Sequence, residues 1–209
     1  MPNGQIVILN GPPRAGKSSI ASAVQDAFPG AWLNLGVDTW AAATPPRYRP
    51  GIGLRPGGER PDLEPVVFAL YAALYESIAA ASRLGFNVVT DVAHHDSYSR
   101  PTRILRDSAR RLAGLPVLFV AVTASLDTIM ARRARPEAGR EDTYVMATSA
   151  DPIPHPVALW QTAVHAHATY DLELDTSQLT PRQCAETIRQ TLTNPPQPSA
   201  FAKLAASAG

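Results

Sequence analysis

The chain has 209 residues, with 19 Lys plus Arg against 18 Asp plus Glu and a net charge of +1. That length suits one domain with a sizeable core, and the charge balance gives no field that would recruit nucleic acid. A lone cysteine, Cys184, excludes an internal disulfide framework and a Cys-based zinc site, and the expectation is a cytoplasmic protein with no signal peptide and no stretch approaching the length of a membrane span.

Gln5 to Asn10 reads as a short buried strand, and Gly11-Pro12-Pro13-Arg14-Ala15-Gly16-Lys17-Ser18 follows it. These eight residues fit G-x-x-x-x-G-K-[ST], the phosphate-binding P-loop. Such a loop wraps backbone N–H groups around nucleotide phosphates, so glycine is needed where a Cβ would collide. Gly11 to Ser18, with Ser19 on the helix read from Ser18 to Ala27, form the expected ATP-binding set. Lys17 would reach the β- and γ-phosphates and the Ser18 hydroxyl would ligate Mg²⁺. The positive end of the helix adds to the anion site.

Ala31 to Val37 reads as a second strand, leading into Asp38-Thr39-Trp40. Residues 44–65 are rich in Pro, Gly and Arg, an irregular loop of a length usually tied to function or disorder. Val66 to Leu84 has apolar residues at helical spacing and stops at Gly85. Phe86 to Asp91 is a third strand ending in an acid, and Arg100 to Leu112 a basic amphipathic helix. Pro116 to Val122 is a continuously apolar fourth strand, as buried parallel strands are. Helices follow at Ser125 to Arg135, capped by Ser125, and at Ala158 to Ala168. Asp171 to Asp175 is a short fifth strand. Thr180-Pro181-Arg182-Gln183 opens the last helix with Thr at the cap, Pro at the first position and Gln at the third. The Pro-, Ala- and Ser-rich tail 194–209 is expected to be poorly ordered.

Strands alternating with helices imply an α/β P-loop NTPase fold, a five-stranded parallel sheet with helices on both faces. Ligands of such sheets bind beyond the carboxyl ends of the strands. The P-loop, Asp38 and Asp91 should therefore share one crevice. Asp38 is the expected general base, with capping of a helix from Thr39 as its other reading. Asp91 ends an apolar strand like a Walker-B acid that holds Mg²⁺, with a turn residue as the alternative. Arg132, Arg133, Arg135 and Arg140 cluster after the fourth strand, where a closing lid spanning 133–156 is expected. Guanidinium suits charge neutralisation in phosphoryl transfer.

Gly36-Val37-Asp38, the strand ending Asp91-Val92, the Arg133 to Arg140 stretch and Tyr170-Asp171-Leu172-Glu173-Leu174-Asp175-Thr176 together resemble the chloramphenicol phosphotransferase family. These are small P-loop kinases related in fold to nucleotide and shikimate kinases. The resemblance runs from about Ile6 to Leu192, within a single kinase domain over 1–193. It implies an ATP- and Mg²⁺-dependent enzyme resembling the antibiotic-inactivating chloramphenicol 3-O-phosphotransferases, acting on a small-molecule hydroxyl acceptor. It also implies that Asp38 activates that hydroxyl, that Lys17 and Ser18 serve ATP and Mg²⁺, and that Arg133 and Arg140 lie near the phosphates. Tyr170 to Thr176 would be structural or adenine-side. The chain departs from the family at Thr90-Asp91, at His94-His95 and in the loops 44–65 and 141–156.

Two other functions stay open. Arg47, Arg49, Arg55 and Arg60 could clamp an anionic acceptor, such as a nucleotide or a shikimate-like acid. A nucleotide-binding module without turnover is the third reading, against which the presence of Asp38 argues. His94 and His95 could line the acceptor pocket or lie exposed. His165 and His167, two apart on a helix, cannot share a metal. Trp32, Trp40 and Trp160 read as core or pocket wall.

Overall fold

The computed structural model describes residues 2–49, 56, 60–100, 102–135, 147–166 and 169–207. In chain order the elements are β1 (Ile6–Asn10), α1 (Lys17–Ala27), β2 (Trp32–Asn34), α2 (Val37–Ala43), a 3-10 turn (Pro46–Tyr48), α3 (Glu64–Arg83) and β3 (Asn87–Val92). They continue with α4 (Ile104–Arg111), β4 (Val117–Thr123), α5 (Leu126–Arg133), α6 (His155–Ala163), β5 (Leu172–Asp175), α7 (Pro181–Thr193) and α8 (Ala200–Ala206). The five strands pair in parallel in the order β2-β3-β1-β4-β5.

Successive strand side chains point to opposite faces, and β1 separates two cores on that period. Val7 and Leu9 face Ile20 and Val24 of α1 and Cys184 and Ile188 of α7. Ile6 and Ile8 face Leu74, Tyr75 and Ile78 of α3, Ala109 of α4 and Phe201 of α8. The β1 segment is apolar on both faces because helices cover both. Its last residue, Asn10, is polar yet fully buried, directly before the P-loop.

Several boundaries differ from expectation. Strand β2 is three residues long, and Val37 already starts α2, whose N-cap is Gly36. Asp38 therefore sits in the first turn of a helix, four residues beyond the strand, and is not its cap. Helix α4 begins at Ile104, later than Arg100, and α6 runs three residues earlier than read, starting at His155. Ser125 caps α5 as expected, accepting from the Thr128 amide, and α7 carries the full Thr180–Gln183 capping box. Helix α3 has 20 residues and is apolar enough to match a membrane span by length and composition, contrary to the expectation that no stretch would. Its Leu74, Tyr75, Ile78 and Ala79 are packed in the second core, as in the core helix of a globular fold.

The tail is the largest correction. Residues expected to be poorly ordered form α8, capped by the Ser199 hydroxyl accepting from the Ala202 amide. The Ala200 amide donates to Asp171 Oδ1 at 2.7 Å. Phe201 is 2% exposed, its ring 4.8 Å from Phe119 and 6.2 Å from Tyr75. A Pro/Ala/Ser composition hides this because one aromatic anchor supplies most of the burial. Phe201→Ala should lower unfolding free energy by about 3–5 kcal/mol. Urea denaturation reads this, and an unchanged midpoint would show that α8 contributes nothing to the core.

Candidate active site

The P-loop runs from the end of β1 to the first turn of α1. Two glycines are forced by their surroundings. A Cβ on Gly11 would overlap the Val122 carbonyl oxygen of β4. Gly16 has φ 94° as the N-cap of α1, a left-handed conformation that other residues avoid. Arg14 adopts φ 69° and is the non-glycine residue of the loop in that region. Lys17 Nζ donates to the carbonyl oxygens of Gly11 (2.8 Å) and Pro12 (2.9 Å), folding its ammonium over the loop. Ser18 and Ser19 are solvent-exposed at the start of α1.

Asp91, near the end of β3, accepts from the Ser18 hydroxyl at 2.8 Å and is buried. A Cβ on Gly36 would overlap the same carboxylate. Gly36 is thus held by contact with Asp91, and Asp38 follows two residues later, at most about 7 Å along the backbone. The Thr90 hydroxyl donates to the Leu35 carbonyl oxygen at 2.6 Å, fixing the same turn from the next position of β3. Asp38 projects from the exposed first turn of α2. The sheet thus joins the P-loop, Ser18, Asp91 and Asp38 at one end of its strands, as the sequence suggested.

The arginines have diverged roles. Arg132 donates to the Arg14 carbonyl oxygen (3.1 Å), to Thr176 Oγ1 (2.9 Å) and to the Thr176 carbonyl oxygen (2.8 Å). Thr176 Oγ1 lies 2.8 Å from the Ala15 carbonyl oxygen. Arg132 and Thr176 therefore brace the back of the P-loop. Arg14 donates to the Arg135 carbonyl oxygen at 3.4 Å. Arg133 is buried in the last turn of α5, and Arg140 lies outside the described residues. In the acceptor loop, Arg49 donates to the Thr44 and Ala42 carbonyl oxygens at the end of α2, and Arg60 pairs with Asp62 at 2.7 Å. The Arg47 guanidinium lies 4.7 Å from the Tyr48 ring centre, and Arg55 lies outside the described residues.

His94 and His95 are both buried, so the exposed reading does not hold. His94 Nε2 is 2.7 Å from the Tyr75 hydroxyl, and its ring lies 4.7 Å from Tyr71. Burial pulls its pKa down to about 3, so it is neutral at ordinary pH. His95 stacks on Tyr98 at 4.4 Å and meets Trp160 edge-on at 5.1 Å. Both imidazoles belong to an aromatic wall between α3, the segment after β3 and α6. Among the described residues no cluster of three or more His, Cys, Asp or Glu could hold a metal. His167 lies outside them. The donor set at Ser18 and Asp91 fits Mg²⁺, which takes few protein oxygens and completes its shell with phosphate and water.

Sequence reasoning missed three members of the site region. Thr176 was read as structural without its link to the P-loop. Asn10 carried no motif, and Gly36 was read only as part of the Gly36-Val37-Asp38 pattern, without its contact to Asp91. A polar residue closing an apolar strand at Asn10 was the one available signal.

A family model described as "Chloramphenicol phosphotransferase-like protein" matches residues 4–193. The chain belongs to this family. A Mycobacterium tuberculosis relative named "Putative O-phosphotransferase" is 28% identical over 218 residues, covering 98% of this chain and 89% of its own length. The M. tuberculosis APS kinase CysC, solved with AMPPNP and APS, superposes with a TM-score of 0.63 at 16% identity, covering 93% of this chain and 100% of its own. The Deinococcus radiodurans tunicamycin resistance protein superposes with a TM-score of 0.57 at 17% identity, over 90% and 95% of the two chains. At those identities the superpositions establish the fold. Family and fold together make the chain a kinase-type phosphotransferase built on the P-loop kinase fold.

The buried neutral His94 has a consequence for acid stability. The unfolded chain protonates this imidazole below about pH 6.5, and the folded chain only near pH 3. Its contribution is complete above pH 6.5 and is lost as pH falls toward 3, at most about 1.4 kcal/mol per pH unit. Chemical denaturation of His94→Gln across that window should show a shallower loss than wild type. Parallel curves would place the acid sensitivity elsewhere.

Proposed function

We propose that the protein transfers the γ-phosphate of ATP to a hydroxyl group of a small molecule. The observation that supports this most is the contact chain Ser18–Asp91–Gly36, which ties the start of the helix carrying Asp38 to the start of the P-loop helix. A pure nucleotide binder has no use for a carboxylate there.

In this reading the loop amides and Lys17 hold the phosphates, with Lys17 turning from its loop carbonyls to the β- and γ-oxygens. Mg²⁺ held by Ser18, with Asp91 behind it, and by the phosphates would offset the charge that develops in transfer. Asp38 accepts the proton of the acceptor hydroxyl as its oxygen attacks phosphorus. The new O–P bond forms while the bond to the β,γ-bridging oxygen breaks, and ADP leaves. Arg133 and Arg140 serve the phosphates when the lid segment closes. A cytoplasmic location would supply the ATP.

A neutral acceptor is favoured over an anionic one. Two of the four arginines considered for an anion clamp, Arg49 and Arg60, are engaged by protein groups. The wall near Asp91 is built from Tyr71, Tyr75, His94, His95 and Tyr98, of which His94 and the tyrosines are held neutral by burial. Family membership makes chloramphenicol the first acceptor to assay, as for an antibiotic-inactivating enzyme, followed by other hydroxyl compounds.

The test is coupled ATP turnover with and without a panel of such acceptors. Lys17→Ala should abolish transfer. Asp38→Asn should lower kcat by about a hundred- to ten-thousand-fold while leaving the Kd for ATP within about twofold. Because Gly36 is the helix cap, this substitution costs only a first-turn charge, about 0.3–1 kcal/mol. Turnover unchanged in Asp38→Asn would remove the base, and turnover unchanged in a folded Lys17→Ala would remove the kinase reading.

A further inference from the structure

Glu64, the first residue of α3, is 1% exposed and carries a carboxylate that no step of the transfer uses. Its Oε1 accepts from the Ser99 amide (2.8 Å) and its Oε2 from the Ser99 hydroxyl (2.6 Å). An acid in a first turn stabilises a helix even from a solvated position, through the positive end of the helix. Burying it is costly unless its oxygens find donors. Here both donors come from one residue of the segment after β3.

The same face of α3 continues along that segment. Glu64, Phe68, Tyr71 and Tyr75 recur at one-turn spacing. Phe68 meets Tyr98 edge-on at 5.5 Å, and Tyr71 and Tyr75 meet His94 at 4.7 and 5.7 Å. Residues 94–99 are thus fixed at both ends by a buried polar side chain. The His94 amide donates to Asn10 Oδ1 at 2.8 Å, and Ser99 is bonded to Glu64. The first anchor belongs to the strand that feeds the P-loop. The second lies on the side of Asp38, because β2 and β3 pair directly, α2 with Asp38 leads off from β2 and the segment leads off from β3. Helix α2 also lies against α3, so residues 94–99 and α3 border the space next to Asp38.

We propose that Glu64 is a positioning residue for the acceptor, holding residues 94–99 in the shape that receives a hydroxyl compound beside Asp38. This rests on the hydroxyl-phosphotransfer reading. Within the segment His95 stacks on Tyr98 at 4.4 Å, and Trp160 of α6 meets His95 edge-on at 5.1 Å. Release of Ser99 would free Tyr98, its chain neighbour, and with it the stack. Among the described residues the hydrogen bonds of the Glu64 carboxylate go to Ser99 and none to the P-loop. Its effect therefore falls on the acceptor and spares ATP.

The test is steady-state kinetics of the full chain with ATP, Mg²⁺ and chloramphenicol, or the neutral alcohol of the panel that the wild type phosphorylates fastest. Glu64→Ala should lower kcat/KM for the acceptor by about tenfold to a hundredfold, the effect of a displaced positioning group, and mainly through KM. KM for ATP should stay within about twofold, since no nucleotide contact is lost. Glu64→Gln, which can accept from the Ser99 amide and donate to its hydroxyl, should recover most of the loss. Ser99→Ala loses only the hydroxyl bond and should show a smaller loss of the same kind. An unchanged acceptor KM in folded Glu64→Ala, or in Ser99→Ala where Glu64→Ala does not fold, would leave Glu64 a purely structural role. A parallel rise in KM for ATP would mean a general disturbance of the site. Both results overturn the proposal. A wild type that phosphorylates no acceptor would overturn the transfer reading itself, and the proposal with it. Hydrogen exchange of the wild type needs no variant. The Ser99 amide should be protected by its bond to Glu64, and exchange as fast as in an open loop would also overturn the proposal.

Discussion

The Asp91 carboxylate is the constraint on which the site depends. It accepts from Ser18 at the start of α1 and presses against Gly36 at the start of α2. Through one side chain β3 therefore sets the position of the P-loop helix and of the helix that carries Asp38. The contact has no slack, because any Cβ at residue 36 would collide. Asp91 is also nearly dry, which strengthens its pull on any charge that approaches Ser18.

The P-loop backbone is held from behind by a second set of contacts. Arg132 and Thr176 reach the carbonyl oxygens of Arg14 and Ala15 from α5 and from the end of β5. Asn10 fixes the loop's entry by bonding to the segment after β3, to the end of α6 and to Tyr170. A loop meant to present amides to phosphates must keep its carbonyls turned away, and these braces give those carbonyls donors. Preorganisation of this kind avoids reorganisation during transfer.

The wall beside the site is aromatic. His94 cannot take a proton at ordinary pH because burial disfavours its cation, and His95 stacks on Tyr98 with Trp160 edge-on to it. Both imidazoles shape a surface, and His94 supplies no charge to it. The charged side chains gathered at these strand ends are instead Lys17, Asp91 and Asp38.

The sequence by itself determined the P-loop, the five parallel strands and the family resemblance that the family model later matched. Each is a local signal: a fixed spacing of Gly and Lys, apolar runs of strand length, and caps such as Ser125 and Thr180 that bond within their own turn. Only the tertiary structure decided how the remaining polar residues divide their work. Arg132 and Arg133 are neighbours in a basic run, yet one braces Thr176 and the other is buried on another side of α5. Nothing in their spelling separates them, because a helix turns about 100° per residue and the partners come from β5 and the P-loop, far along the chain. The same holds for Asn10, Gly36 and Phe201. Their roles are contacts across 160 (Tyr170), 55 (Asp91) and 82 (Phe119) positions of sequence, and such contacts exist only once the sheet has brought its strand ends together.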